Sequence, residues 1–320
     1  MKYIKLGDSN IEVSRFALGC MSFGDPKSKM HAWTLDPNQT QEIVSHALDL
    51  GINFFDTANT YSAGTSEEYL SRAFKNLGVP RDKVIIASKV YFNDGYLSKE
   101  AILREVEGSL KRLNTDYIDL YIIHRFDYTT PIEETMETLD SLVKSGKVRA
   151  LGASAMYGYQ FHNMQLAAEK NNWTKFVSMQ NHYNLLYRED ERELIPICKQ
   201  MNVSLTPYSP LAAGRLSRSW DEQTLRNKTD ETAKAKYDKT IESDIKISER
   251  VKEVADNHNA TMTQIALAWQ FKKGIAAPII GATKAKYIDD SVKSLDIILS
   301  DDEVKYLEEL YEPHKIVGAR

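Results

Sequence analysis

Cysteine is scarce: the chain of 320 residues holds two, Cys20 and Cys198. Two cysteines cannot build a disulfide framework or a zinc site with four cysteine ligands, and they point to a reducing compartment. Long apolar runs are also missing. None reaches the ~18 residues of a membrane span, and the opening Met1-Lys2-Tyr3-Ile4-Lys5 lacks the apolar core of a signal peptide. Neither charge dominates: 41 Lys and Arg face 45 Asp and Glu, a formal net charge of −4. No global basic bias drives nucleic-acid binding. These absences predict a cytoplasmic protein with neither nucleic acid nor membrane as partner. Three catalytic signatures are absent too. There is no Gly-x-Gly-x-x-Gly after a strand, no His-Glu-x-x-His and no Gly-x-Ser-x-Gly. With the seven histidines scattered and no cysteine pair at ligand spacing, no metal site is expected.

What is present is ordinary globular composition, 42% apolar and 27% charged. Short apolar or β-branched runs recur at 16–20, 52–55, 84–87, 118–123, 148–152, 176–179, 203–206 and 277–280. Such near-continuous runs suit strands covered on both faces of a parallel sheet. Helical periodicity lies between them. Ile43, Ala47 and Leu50 share one face, as do Ile102, Val106, Leu110 and Leu113, with Ser98 as N-cap. Thr130-Pro131-Ile132-Glu133 and Ser300-Asp301-Asp302-Glu303 read as capping boxes; the first helix should reach about Ser145, with Gly146 ending it. Eight strand–helix units predict an α/β fold, a closed (β/α)8 TIM barrel occupying 1–320 as a single domain. A doubly wound open sheet is the alternative. Residues 2–13 read as an N-terminal β-hairpin turning around Gly7-Asp8-Ser9-Asn10. Residues 212–247 form a long polar insertion at the C-terminal mouth, with Arg215, Arg218, Arg226 and Lys228, either a lid or a solvated excursion. Residues 300–320 supply a terminal helix and tail.

In a barrel the active site lies at the C-terminal ends of the strands. The second strand delivers Asp56, the third Lys89, the fourth His124, the fifth Ser154 and the sixth Gln180, while Tyr61 follows Asp56 by five residues. Singly, each has a bland explanation: a turn-capping Asp, a solvated Lys, a core His. Together, four groups able to transfer or tune protons stand at three successive strand ends.

Several stretches closely resemble the aldo-keto reductases: Phe54-Phe55-Asp56-Thr57-Ala58-Asn59-Thr60-Tyr61 with Ser66-Glu67-Glu68, Ala87-Ser88-Lys89, Asp119 through His124, Gly146-Lys147-Val148-Arg149, Gly152-Ala153-Ser154 and Tyr208-Ser209-Pro210-Leu211. The run 181–193 is similar to the aryl-alcohol dehydrogenase branch, which includes a bacterial relative linked to 1-deoxyxylulose-5-phosphate formation. The resemblance spans essentially the whole chain, in order. It implies an NADPH-dependent carbonyl reductase with a catalytic tetrad of Asp56, Tyr61, Lys89 and His124. The residue types suit that chemistry. Carbonyl reduction needs a hydride at carbon and a proton at oxygen. A free tyrosine has a pKa of ~10; a neighbouring ammonium stabilises tyrosinate and lowers that value. Asp56 would hold Lys89, and His124 would orient the carbonyl of the substrate.

The resemblance also implies residues for NADPH/NADP+. Ser154 and Gln180 would hydrogen-bond the carboxamide, where the family often adds an Asn at the position of Ala155. Tyr208 would stack on the nicotinamide. Met21 and Asp56 would lie near that end, and Ser209, Leu211, Gly214 and Arg215 near the pyrophosphate. The adenosine end would meet Gly281, Thr283, Lys284, Tyr287, Asp290 and Ser291. Relatives often carry Arg or Ser, Gln or Arg, Glu, and Asn at Thr283, Tyr287, Asp290 and Ser291, and Lys284 with Lys286 could compensate. Cys20 reads as a buried structural thiol. Trp33, Tyr91, Phe92, Arg125 and Tyr157 fall on mouth loops, either shaping an aromatic pocket or packing. Three functions remain in view: a small-molecule aldehyde reductase, aromatic aldehydes first; a phosphosugar enzyme using Arg125, Arg215 or Arg218; and a cofactor-binding partner protein that senses redox state, like the channel-associated members of the family.

Overall fold

The computed structural model describes residues 1–28, 30–220, 222, 224 and 228–317. Strands β1 (Tyr3–Lys5) and β2 (Glu12–Ser14) pair antiparallel as the expected hairpin. Its Leu6, Ile11 and Val13 are buried against Ala17, Phe54, Ala87, Leu120, Ile122, Ala150, Ala277 and Ile279. The hairpin therefore stoppers the floor of the barrel, which leaves the opposite mouth for a ligand.

The barrel strands are β3 (Ala17–Gly19), β4 (Phe54–Asp56), β5 (Ile85–Val90), β6 (Ile118–Ile123), β7 (Val148–Ser154), β8 (Phe176–Gln180), β9 (Ser204–Leu205) and β10 (Ile279–Gly281). They lie parallel in the order β10-β3-β4-β5-β6-β7-β8-β9. Backbone bonds from Ala276 N to Leu205 O (3.0 Å) and Ile279 N to Pro207 O (3.0 Å) bridge β9 to β10 and close the ring. The continuous apolar runs have their cause here. In β6, Leu120 and Ile122 fill the interior, while Tyr121 and Ile123 join the outer core under the helices.

The outer layer comprises α1 (Pro37–Asp49), α2 (Thr65–Asn76), α3 (Lys99–Leu113), α4 (Ile132–Lys144), α5 (Gly158–Asn171), α6 (Leu194–Gln200), α7 (Glu231–Tyr237), α8 (Ile241–Asn257), α9 (Met262–Lys272), α10 (Ala285–Lys293) and α11 (Asp301–Glu308). Ser98 caps α3 by accepting from Ala101 N, and Ser300 and Glu303 form the expected capping box of α11. The box expected at Thr130 does not form. α4 begins at Ile132 with Pro131 as its N-cap, one residue later than Thr130 requires, and no side chain caps it; the Thr130 hydroxyl donates to Asp127 Oδ2 (2.6 Å). Asp127 also takes the hydroxyl of Thr129 at 2.7 Å, so one carboxylate holds both threonines in the turn before the helix. Gly146, at φ +78°, ends α4 as expected.

The insertion expected over 212–247 is shorter and partly helical. It contains α7, and α8 already starts at Ile241, burying Asp244 and Ile247. Arg226 lies outside the described residues. The tail returns to the barrel: Val317 N donates to Tyr187 Oη (3.0 Å) and Tyr311 Oη to Glu189 Oε1 (2.8 Å).

Candidate active site

Parallel register brings the strand ends together. Asp56 lies opposite Ala87 across β4 and β5, and Lys89 opposite Ile122 across β5 and β6. Lys89 is fully buried, and its ammonium makes three donations: Asp56 Oδ1 at 2.6 Å, Thr57 O at 2.8 Å and Tyr61 Oη at 3.2 Å. Such a buried pair holds only with its bonds satisfied; removing one partner typically costs about 3–5 kcal/mol. The second Asp56 oxygen accepts from Gln180 Nε2 at 2.8 Å. Tyr61 opens a tight turn whose next residues, Ser62 (φ +49°) and Ala63 (φ +56°), take left-handed backbone. Strain of that kind collects at functional sites. The His124 ring stands 5.9 Å from that of Tyr61, edge to face, and 5.0 Å from that of Phe92.

Electrostatics corrects one expectation. Burial raises the pKa of Tyr61 above its ordinary value, and the opposing Lys89 charge does not bring it back down. The phenol therefore rests protonated, as a proton donor must. Burial alone would lower Lys89, but Asp56 and Tyr61 beside it carry it upward, so it stays cationic. Burial, then Lys89 and Arg125, hold His124 well below its ordinary value, leaving a neutral ring.

The other anticipated residues divide. Ser154 and Gln180 are buried beside this cluster, with the Ser154 hydroxyl on Gln180 O at 2.8 Å. Met21 lies half-buried in the turn after β3. Cys20 is completely buried, and burial raises its thiol well above the ordinary range, in keeping with a structural role. The run Ser209, Ala212, Ala213 and Gly214 takes positive φ. Arg215 is not free at this loop: its guanidinium pairs with Asp238 (2.5 Å) and faces the rings of Trp220 and Tyr237. Arg218 is nearer the turn, its Nη2 3.5 Å from where a Cβ on Gly214 would stand. Gly281 faces open space. Thr283 and Lys284 precede α10, and Tyr287 is exposed on it with Lys286 Nζ 5.5 Å from its ring. Asp290 is engaged elsewhere, accepting from Thr261 Oγ1 (2.9 Å) and Gln264 Nε2 (2.6 Å) of α9. Ser291 is buried and bonds Tyr287 O in its own helix.

Of the mouth aromatics, Phe92 joins the cluster directly, with Arg125 Cζ 5.6 Å from its ring and Tyr91 at its edge. Trp33 stacks on His31, and Tyr157 on Tyr159. The sequence reading missed His182. Buried and held neutral first by burial, its ring stacks on Tyr187 (4.2 Å) and Tyr208 (5.2 Å). Its Nε2 lies 2.7 Å from Tyr237 Oη on α7. It ties the insertion to Tyr208, whose ring also has Lys236 Nζ 4.6 Å away. A lone histidine in an apolar run carries no sequence signal for such a role.

A parallel barrel with a buried Asp–Lys–Tyr chain and a neutral histidine at its mouth defines a class of carbonyl–alcohol oxidoreductase sites. The Aldo/keto reductase family model matches residues 15–312. The versiconal hemiacetal acetate reductase of Aspergillus parasiticus is 40% identical, covering 99% of this chain and 98% of its own. A Schizosaccharomyces pombe protein with an aryl-alcohol dehydrogenase name is 42% identical, over 98% of this chain and 96% of its own. A thermostable aldo-keto reductase solved with the inhibitor epalrestat superposes with a TM-score of 0.78 at 29% identity, covering 97% of this chain and 100% of that one. The chain belongs to the aldo-keto reductase family. It is an oxidoreductase, and its relatives group it with the aryl-alcohol dehydrogenase-like branch.

Proposed function

We propose that this single barrel domain is a cytoplasmic NADPH-dependent reductase of aldehydes and ketones, with aromatic or other small aldehydes as substrates. The observation that carries the reading is Lys89, fully buried and donating to both Asp56 and Tyr61. Three features of the anticipated cofactor residues support a dinucleotide. Ser209, Ala212, Ala213 and Gly214 turn the loop through left-handed backbone, Gly281 faces open space where a backbone could be approached, and Tyr208 Oη is buried without a partner. Ser154, Gln180 and Tyr208 would hold the nicotinamide end; Met21, Ser209, Leu211 and Gly214 would line its path. Thr283, Lys284 and Tyr287 would meet the adenosine end. The bound cofactor supplies a hydride to the carbonyl carbon. Tyr61 gives its proton to the carbonyl oxygen, and the Lys89 ammonium stabilises the tyrosinate left behind. Neutral His124 orients that oxygen by a hydrogen bond.

The names of the relatives, a hemiacetal acetate reductase and aryl-alcohol dehydrogenases, support an alcohol–carbonyl couple on aromatic compounds. Of the three arginines the phosphosugar alternative could use, Arg215 is committed to Asp238, while Arg125 stands beside Phe92 at the cluster and Arg218 beside Gly214. NADPH oxidation over a carbonyl panel tests the reading. Nitrobenzaldehyde should be reduced; faster turnover of ribulose 5-phosphate than of every aldehyde would overturn the substrate class.

A further inference from the structure

Arg125 directly follows His124 at the end of β6. Its guanidinium carbon lies 5.6 Å from the ring of Phe92, and that ring meets His124 at 5.0 Å. Phe92 is 50% exposed and Arg125 half-buried, so a small solute reaches both. The charge of Arg125 is felt on two sides of the mouth. After burial and Lys89, it is the cause that holds His124 neutral. It also opposes the rise that burial imposes on Tyr208, and joins burial, Lys236 and His314 in lowering His182. The guanidinium is thus within electrostatic reach of the catalytic cluster and of Tyr208 alike, the two groups between which a substrate would meet the nicotinamide.

This cation lacks a protein anion. Among the described residues its one hydrogen bond runs from Nη1 to His124 O (3.1 Å), and no carboxylate pairs with it. Asp127, two residues on, is already saturated. It accepts from Leu97 N (3.0 Å), Thr129 N (2.8 Å), Thr129 Oγ1 (2.7 Å) and Thr130 Oγ1 (2.6 Å), and a carboxylate offers about four such positions. Asp56 is taken by Lys89 and Gln180. The buried ammonium at the mouth is therefore neutralised, and the guanidinium beside it is not. A guanidinium presents five donors in a planar fork that matches a carboxylate edge to edge. Arg215 is paired with Asp238 and Arg218 stands beside Gly214, so Arg125 brings one positive charge to this place. One charge balances a carboxylate and leaves a dianionic phosphate half compensated.

We infer that Arg125 is a specificity-determining residue that binds a carboxylate carried on the aromatic substrate away from its reacting carbonyl. This deepens the reductase reading and rests on it. The favoured substrates are then aromatic aldehydes bearing an acid, with Phe92 beside the ring that carries it.

The test compares 4-(carboxymethoxy)benzaldehyde with its carboxamide, an uncharged compound of the same shape whose spacer insulates the aldehyde from the change. The wild-type enzyme should prefer the acid by about tenfold in kcat/KM, as expected for one charge-assisted pair. Arg125→Leu should bring the preference below about twofold. Arg125→Lys keeps the charge without the fork and should fall between the two. A ratio between two substrates does not respond to a general loss of folded enzyme. No preference for the acid in wild type, or a ratio unchanged by Arg125→Leu, overturns the inference; the second result with NADPH affinity lost would give the arginine to the cofactor. The phosphonomethoxy analogue stands for a phosphate on the same framework, and its faster turnover than the acid overturns the carboxylate assignment. The benzonitriles of the acid and the amide, which do not react, should show the same preference by calorimetry in the presence of NADP+. That preference without turnover of either aldehyde would overturn the reductase reading and leave the role of Arg125 standing; nitriles bound equally, or not at all, would overturn that role.

Discussion

Gln180 and Asp56, 124 residues apart in sequence, are joined by a hydrogen bond of 2.8 Å from Nε2 to Oδ2. This bond links a residue expected to hold the cofactor to the carboxylate that holds Lys89. Gln180→Leu removes the donor and leaves one oxygen of a buried carboxylate unpaired. We expect a stability loss of about 1–3 kcal/mol, together with weaker NADPH binding and lower kcat. Denaturant unfolding and a fluorescence titration measure both. A variant that lost cofactor affinity with unchanged stability would show that the bond to Asp56 is energetically idle.

Selectivity for NADPH over NADH should rest on Lys284 and Lys286, because Arg215 is paired with Asp238. Lysine provides a mobile point charge rather than the fork of arginine, and an exposed pair contributes on the order of 1 kcal/mol, less at high salt. Replacing both with alanine should weaken NADPH binding several-fold while leaving NADH within twofold. Equal dissociation constants of the two cofactors for the wild-type enzyme at low salt would contradict this.

Asp190 gives the fold a pH dependence. Burial pushes its carboxyl up to about 7, with the Asn181 hydrogen bond opposing and Glu189 adding to the rise. Between about pH 4 and 7 the folded protein keeps a proton that the unfolded chain has lost. The contribution of this group to stability therefore falls as pH rises through that window and stays low above it. Asp190→Asn should raise the melting temperature by a few degrees at pH 8 and change it little at pH 5. An equal shift at both pH values would assign the effect to packing instead.

Much of this was legible in the sequence, for physical reasons. The strands announced themselves because both faces are buried, so β6 was read at its observed bounds, Ile118–Ile123. Strand ends of a barrel converge, so Asp56, Lys89 and His124 could be gathered without coordinates. Competition between local partners was not legible. Thr130 had the spacing of a capping residue, but its hydroxyl is tied to Asp127 and the helix starts one residue later, after Pro131. Arg215 had the place of a phosphate ligand, but Asp238 on the insertion claimed it. Lys89 lowers the Tyr61 pKa as expected, but burial outweighs it and the net shift is upward, because a residue pattern reveals the neighbouring charge and hides the depth of burial. His182 acquires its role only through stacking with Tyr187 and Tyr208 and its bond to Tyr237.

The central claim is that Tyr61 delivers the proton, and Tyr61→Phe tests it most directly because only the hydroxyl is removed. The ring, its packing against His124 and the residues proposed to hold the cofactor all remain. General acid catalysis is typically worth ~10²–10⁴ in rate. Single-turnover reduction of nitrobenzaldehyde by the NADPH-loaded variant should therefore slow by at least ~10², with the dissociation constant for NADPH within about twofold of wild type. A variant that binds NADPH normally and keeps more than about a tenth of the wild-type rate would contradict the account.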